Sequence, residues 1–207
     1  MKLYYTKGAC SLAVRIVINE IGLRCDYESV DLKSKKTASG GDFYLVNPKG
    51  SVPTLVTNEG EVLTENAIIQ QYLAETNHAT ALFAPVGDFK RYRTLEWLNY
   101  ITTELHKGCS PLFNPQLSQE VKESVFIPAL KAKLDYVDKH LAKHAYLVGE
   151  QYTLADGYLF VILTWLHHFK ISTSAWAHIE KYFSGMMKRS AIHQSLMEEG
   201  IVTEKMA

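Results

Sequence analysis

The stretch Lys2-Leu-Tyr-Tyr-Thr-Lys-Gly-Ala-Cys10-Ser11 decides how the chain is read. Lys2 to Thr6 is short, aromatic and rich in strand formers, and Gly8-Ala9 turns the chain. Leu12, Ile16, Ile18 and Ile21 then recur at helical spacing until Gly22 stops the run. Tyr27 to Leu32 alternates, with Tyr27, Ser29 and Asp31 on one side and Glu28, Val30 and Leu32 on the other, so it reads as a second strand. Lys33 to Pro48 is polar and glycine-containing, which predicts a loop with a short helix. Val52 to Thr57 and Glu61 to Leu63 flank Asn58-Glu59-Gly60, a hairpin signal, and Thr64 is placed to cap a helix from Glu65 to about Glu75.

The predicted order, βαβ followed by ββα, is that of a thioredoxin-like α/β domain over residues 1–80, although other α/β units share it. A linker is expected at 81–86, and an all-α domain over 87–207. There, Tyr92, Leu95, Leu98, Ile101 and Leu105 keep helical spacing up to Gly108 and Pro111. A second helix is predicted from Ser118 to Lys143 with a kink at Pro128. Thr153-Leu-Ala-Asp156 is a capping box, and the apolar run behind it is the expected centre of the helical domain.

Lys plus Arg number 22 and Asp plus Glu number 22, so the chain lacks the basic excess that a nucleic-acid backbone or an anionic membrane would call for. Tyr158 to Leu166, the longest apolar stretch, falls far short of the ~20 residues that span a bilayer. The first residues contain no apolar run of the kind a secretory leader has, so a cytoplasmic setting is expected. Cys10, Cys25 and Cys109 are an odd number and too few for a disulfide scaffold, which predicts free thiols in a reducing compartment. His140 and His144 stand four apart without an evident third ligand, so no metal site is expected.

Cys10 follows a strand and a glycine turn and opens a helix, where unpaired N–H groups favour a thiolate. Such placement lowers a cysteine pKa from ~8.5 toward ~3.5–7.5. Ala13 stands where a second cysteine would complete a dithiol motif, so Cys10 is a monothiol. Ser11 and Tyr5 are weaker candidates, the first reading as a helix-start residue and the second as sheet packing. Asn99, Thr103 and His106 are spaced i, i+4, i+7 and are expected on one polar helix face beside the apolar stripe.

The run Met1-Lys-Leu-Tyr-Tyr-Thr-Lys-Gly-Ala-Cys-Ser-Leu resembles bacterial beta-class glutathione transferases. So do Asn47-Pro-Lys-Gly-Ser-Val-Pro-Thr-Leu, Leu63-Thr-Glu-Asn-Ala-Ile-Ile-Gln-Gln-Tyr-Leu and Glu96-Trp-Leu-Asn-Tyr-Ile-Thr-Thr-Glu-Leu-His-Lys-Gly. The resemblance implies a cytoplasmic, homodimeric detoxification enzyme that conjugates glutathione, its co-substrate, to a small apolar electrophile without a further cofactor. Thiol-disulfide exchange through Cys10 is the accompanying expectation. The same fold also serves stress-regulatory proteins that bind transcription machinery and catalyse nothing, which is the rival reading.

By the same resemblance, Cys10 and His106 carry the chemistry, with a neutral His106 imidazole accepting a thiol proton or hydrogen-bonding the sulfur. Val52-Pro53 is expected to be cis, with the Val52 main chain pairing with the cysteinyl part of glutathione. Glu65 is assigned the α-amino group, and Asn66, opening the same helix, the γ-glutamyl carboxylate. Asparagine departs from the serine or small residue common at that position, so the implied contact is through its backbone more than its side chain. Lys35 is assigned the glycyl carboxylate, and Asn99, Thr103, Glu104 and Lys107 further contacts to the tripeptide.

Overall fold

A computed structural model describes residues 1–202. The chain divides into two units: Met1–Thr80 together with the residues from Lys188, and Ala81–Met187.

The first unit is built on a mixed sheet. Strand β1 (Lys2–Tyr5) leads through the Gly8 turn into helix α1 (Ser11–Ile21), and β2 (Asp26–Asp31) returns parallel to β1. Gly22 ends α1 in the left-handed conformation, φ 74°, which an L side chain adopts only with strain. The next segment, polar in composition, holds a short strand, β3 (Lys36–Thr37), and a 3-10 turn at Phe43–Leu45. β4 (Thr54–Val56) and β5 (Val62–Thr64) form the hairpin, giving the sheet order β3-β2-β1-β4-β5. Helix α2 (Asn66–Thr76) comes after the hairpin. Thr64 does not cap it: Thr64 is paired with Thr54 inside the sheet, and Glu65 takes the cap position. β4 also starts later than its apolar pattern suggests, because Pro53 has no N–H to offer a ladder.

The second unit is helical. α3 (Phe89–Tyr100) is capped by Asp88 and runs on through a π-helical turn at Ile101–His106, the short α4 (Lys107–Cys109) and a 3-10 turn at Ser110–Phe113. α5 (Gln119–Val121), capped by Ser118, passes through a second π-helical turn at Lys122–Phe126 into α6 (Ile127–Leu141). Pro128 thus lies inside a helical run continuous from Gln119, directly after the π-helical turn that interrupts its regular hydrogen-bond ladder. α7 (Leu154–His168) is buried along nearly its whole length and forms the core of this unit, and α8 (Ala177–Met187) succeeds it. Leu82 and Phe83, in the segment expected to be a linker, are buried within this unit, and the Leu82 carbonyl accepts from Leu154 N–H at 3.1 Å.

The last described helix, α9 (Ser190–Glu198), belongs to the first unit, so the helical domain does not extend through 87–207 as the sequence division had it. Its attachment is polar and buried. Arg15, on α1, pairs with Glu199 at 3.1 Å and Glu198 at 3.2 Å and stacks on the Tyr27 ring at 3.6 Å. A buried guanidinium needs such partners. Glu199 also accepts from Gly8 N–H at 2.8 Å, which ties the end of α9 to the turn before Cys10.

Candidate functional site

Cys10 occupies the cap position of α1 without a side-chain cap bond, at φ −58° and ψ −20°. Its side chain is buried, and Sγ donates to the Val52 carbonyl at 3.4 Å. The Val52-Pro53 bond is cis. Val52 lies outside the strands, and its N–H donates to nothing among the described residues. Main-chain donor and acceptor groups of one residue are therefore grouped beside the thiol.

The opening of α2 lies next to this turn. The Asn66 side chain, 7% exposed, donates through Nδ2 to the Cys10 carbonyl at 2.5 Å and accepts at Oδ1 from Gln70 Nε2 at 2.5 Å. It is thereby turned toward Cys10, while the N–H groups of Asn66 and Ala67 find no acceptor among the described residues. Unsatisfied helix-start donors attract an anion such as a carboxylate. Glu65 is in the left-handed region at φ 70°, and its exposed carboxylate meets Lys49 Nζ at 2.6 Å. Lys35, also left-handed at φ 58°, donates Nζ to the Gly50 carbonyl at 2.7 Å. Cys10, Val52, Pro53, Asn66, Glu65 and Lys35 thus all lie in the first unit, with the first four joined around Cys10 by contact or by the chain itself.

The weaker candidates have structural tasks. Ser11 is fully buried, where its hydroxyl accepts from Thr6 N–H at 3.2 Å and bonds the Thr6 carbonyl at 3.3 Å. Tyr5 lies under the Arg15 guanidinium, 4.6 Å from its ring centre. Burial pushes the Cys109 thiol up to about 12 and the Cys25 thiol to about 11, so neither is a ready nucleophile at neutral pH.

In the second unit, the expected shared face of Asn99, Thr103 and His106 does not form. Lys107 N–H reaches back to the Thr102 carbonyl, and this π-helical turn inserts one residue, rotating the downstream residues by about 100° relative to an α-helix. Asn99 and Thr103 remain exposed, and the Thr103 hydroxyl bonds the Asn99 carbonyl at 3.0 Å. His106 instead turns inward: Nδ1 meets the Tyr158 hydroxyl at 2.6 Å, and the ring packs edge-on to Trp165 at 4.9 Å. Burial, with the Lys107 charge beside it, lowers its pKa to about 4. The imidazole is therefore neutral at pH 7, as expected, but too weakly basic to hold a proton from a thiol. Glu104 pairs with Lys133 at 2.9 Å, and Lys107 is exposed.

Sequence reasoning missed Gln70, Arg15, Glu199 and Tyr158. Gln70 sits four residues after Asn66, the one spacing that could have linked the two, whereas Arg15 and Glu199 meet across 184 residues.

Comparison with known proteins agrees over both units. Residues 1–75 match the glutathione S-transferase N-terminal domain model and residues 100–190 the glutathione S-transferase C-terminal domain model. The chain belongs to the glutathione S-transferase family. It is 43% identical over 201 residues to glutathione S-transferase GstA of Escherichia coli O157:H7, covering 97% of this chain and 100% of that one. Among solved structures, a bacterial beta-class transferase of Sphingomonas chungbukensis matches with a TM-score of 0.93 at 39% identity, covering 98% of this chain and 100% of that one. A sphingomonad glutathione S-transferase complexed with glutathione matches equally well, TM-score 0.93 at 38% identity over 98% and 100% of the two chains.

Proposed function

We propose that the first unit binds glutathione in an extended form, its cysteinyl main chain pairing with Val52 and its sulfur brought to Cys10. The family assignment makes the chain a glutathione transferase, an enzyme that joins glutathione to small electrophiles. The γ-glutamyl carboxylate sits on the N–H groups of Asn66 and Ala67, and the α-amino group meets Glu65 in competition with Lys49. Lys35 faces the glycyl carboxylate. The observation that carries this reading is the thiol at an uncapped helix start, 3.4 Å from a carbonyl whose residue belongs to no strand.

Conjugation proceeds by attack of the glutathione sulfur on an electrophile held near it, so proximity supplies much of the rate. The second activity is exchange: the Cys10 thiolate attacks a sulfur of glutathione disulfide, forms a mixed disulfide and releases one glutathione thiolate. His106, neutral and held by Tyr158, serves as a hydrogen-bond partner rather than as a base, with Asn99, Thr103, Glu104 and Lys107 as further contacts to the tripeptide. We assign the protein to the cytoplasm and to a homodimer, no cofactor beyond glutathione being required. Exposed Phe89 and Tyr92 on α3 suit a covered face. Among the described residues no helix is long and apolar enough to cross a membrane, and no group of histidines, cysteines and carboxylates is arranged to hold a metal ion.

Cys10→Ala should abolish the mixed disulfide, read by mass spectrometry after incubation with glutathione disulfide, and change conjugation turnover with an aryl halide. Exchange at the wild-type rate in Cys10→Ala would remove Cys10 as nucleophile.

A further inference from the structure

Gln70 is fully buried, yet it is a polar residue on the second turn of α2. Its orientation is fixed by its neighbours through elimination. The Cys10 carbonyl can only accept, so Asn66 must present Nδ2 to it. Asn66 then presents Oδ1 to Gln70, and Gln70 must answer with Nε2. This leaves Gln70 Oε1 buried and without a hydrogen-bond partner among the described residues. An orphaned buried acceptor costs stability, and a leucine would only move that cost to Asn66 Oδ1, which would lose its donor. What the amide adds is a donor that fixes the orientation of Asn66.

We propose that Gln70 and Asn66 form a positioning relay that holds the main chain of Cys10 from outside its own helix. The Cys10 carbonyl already accepts from Ala13 N–H at 3.1 Å within the opening turn of α1. A second donor, Asn66 Nδ2, arrives from a different element and fixes the direction of that carbonyl, and with it the peptide plane and the bond that points Sγ at Val52. Cys10 makes no side-chain cap bond of its own, and the relay adds a fastening to its carbonyl from outside α1. The same residue, Asn66, opens the helix whose free N–H groups were assigned the γ-glutamyl carboxylate. Carboxylate binding at α2 and the position of the Cys10 sulfur are thereby coupled through one side chain. Neither residue touches the reacting sulfur, so both are positioning residues. The inference rests on the assignment of Cys10 as the reactive thiol only for its catalytic consequence.

Two variants test it. Gln70→Leu keeps the volume and removes both the donor and the orphaned acceptor. Asn66→Asp keeps the shape but has nothing to donate to the Cys10 carbonyl. Amide hydrogen exchange in the opening turn of α1, at Ala13 and Val14, should quicken about tenfold in each, the scale of one lost hydrogen bond. Gln70→Leu should meanwhile leave the urea midpoint close to wild type, since one orphaned buried acceptor replaces another. The rate of mixed-disulfide formation at Cys10 should fall about tenfold in both variants, with kcat for conjugation lowered more than KM for glutathione is raised. A merely structural glutamine would lower the urea midpoint and leave the exchange pattern of α1 alone, and that result would overturn the relay. So would wild-type exchange and thiol rates in Gln70→Leu, or in Asn66→Asp. Should wild-type protein form no adduct at Cys10, the assignment of the reactive thiol fails, while hydrogen exchange at α1 still decides the relay.

Discussion

The openings of α1 and α2 and the opening of α7 treat the same problem in opposite ways. Every helix start leaves N–H groups to be satisfied. At α7 partners come from within the protein: Leu154 N–H reaches the Leu82 carbonyl at 3.1 Å, Thr153 and Asp156 close a capping box, and the fully buried Asp156 carboxylate accepts from Thr153 N–H at 2.8 Å, the Thr153 hydroxyl at 2.9 Å, Leu147 N–H at 2.9 Å and the Tyr182 hydroxyl at 3.0 Å. At α1 and α2 the cap residues, Cys10 and Glu65, make no side-chain cap bond, and Ser11, Asn66 and Ala67 keep N–H groups without acceptors among the described residues. A closed start stabilises the fold, whereas an open one gives up that stabilisation so that a ligand can supply the missing acceptor.

The contrast predicts where a substitution registers. Asp156→Ala should have the largest effect on stability, a loss of about 3 kcal/mol in urea unfolding, because it orphans buried N–H and hydroxyl groups together. A loss below about 1 kcal/mol would mean that the closed start is not what holds α7.

The next effect depends on pH. The folded-state pKa of His106 is lowered to about 4 from an ordinary 6.5, so between those values the unfolded chain binds more protons and stability falls as the pH falls. Asp156 acts with the opposite sign: burial raises its carboxyl to about 6 from an ordinary 3.8, so its contribution to stability grows as the pH falls through that window. His106→Asn removes only the first effect. Melting monitored from pH 7 to pH 4 should show the variant gaining on the wild type by up to about 3 kcal/mol. Parallel curves would show that His106 is not held neutral by burial.

Glu65→Ala should have the smallest effect on stability, within about 0.5 kcal/mol, since the side chain makes only an exposed ion pair with Lys49. Its KM for glutathione should nevertheless rise severalfold. A marked loss of stability with an unchanged KM would put α2 among the closed starts.

Much of this was legible in the sequence because it is local. The strand, turn and helix around Cys10 can be read from side-chain period and one glycine, and the capping box at Thr153 needs only three residues of spacing. The placement of Cys10 at a helix opening could be read for the same reason. Interactions between distant segments were not legible. Nothing near Arg15 in the sequence shows that its carboxylates come from Glu198 and Glu199, so α9 was assigned to the wrong unit. The face of His106 failed for another reason. Helical spacing assumes an unbroken α-helix, and the π-helical turn at Ile101–His106 carries no signal in residue type. Asn66 looked like a departure from the small residue expected at its position, and its meaning emerged only with Gln70 and the Cys10 carbonyl in contact with it.

The central claim is that a single sulfur at an open helix start does the thiol chemistry. Alkylation of wild-type protein with iodoacetamide across pH 5 to 10, tracked at Cys10, Cys25 and Cys109 by peptide mass spectrometry, tests it directly. Cys10 should react at neutral pH, and glutathione should protect it, while Cys25 and Cys109, with thiols pushed to about 11 and about 12, stay unmodified. Reaction of Cys25 ahead of Cys10, or a Cys10 rate that glutathione leaves unchanged, would contradict the account.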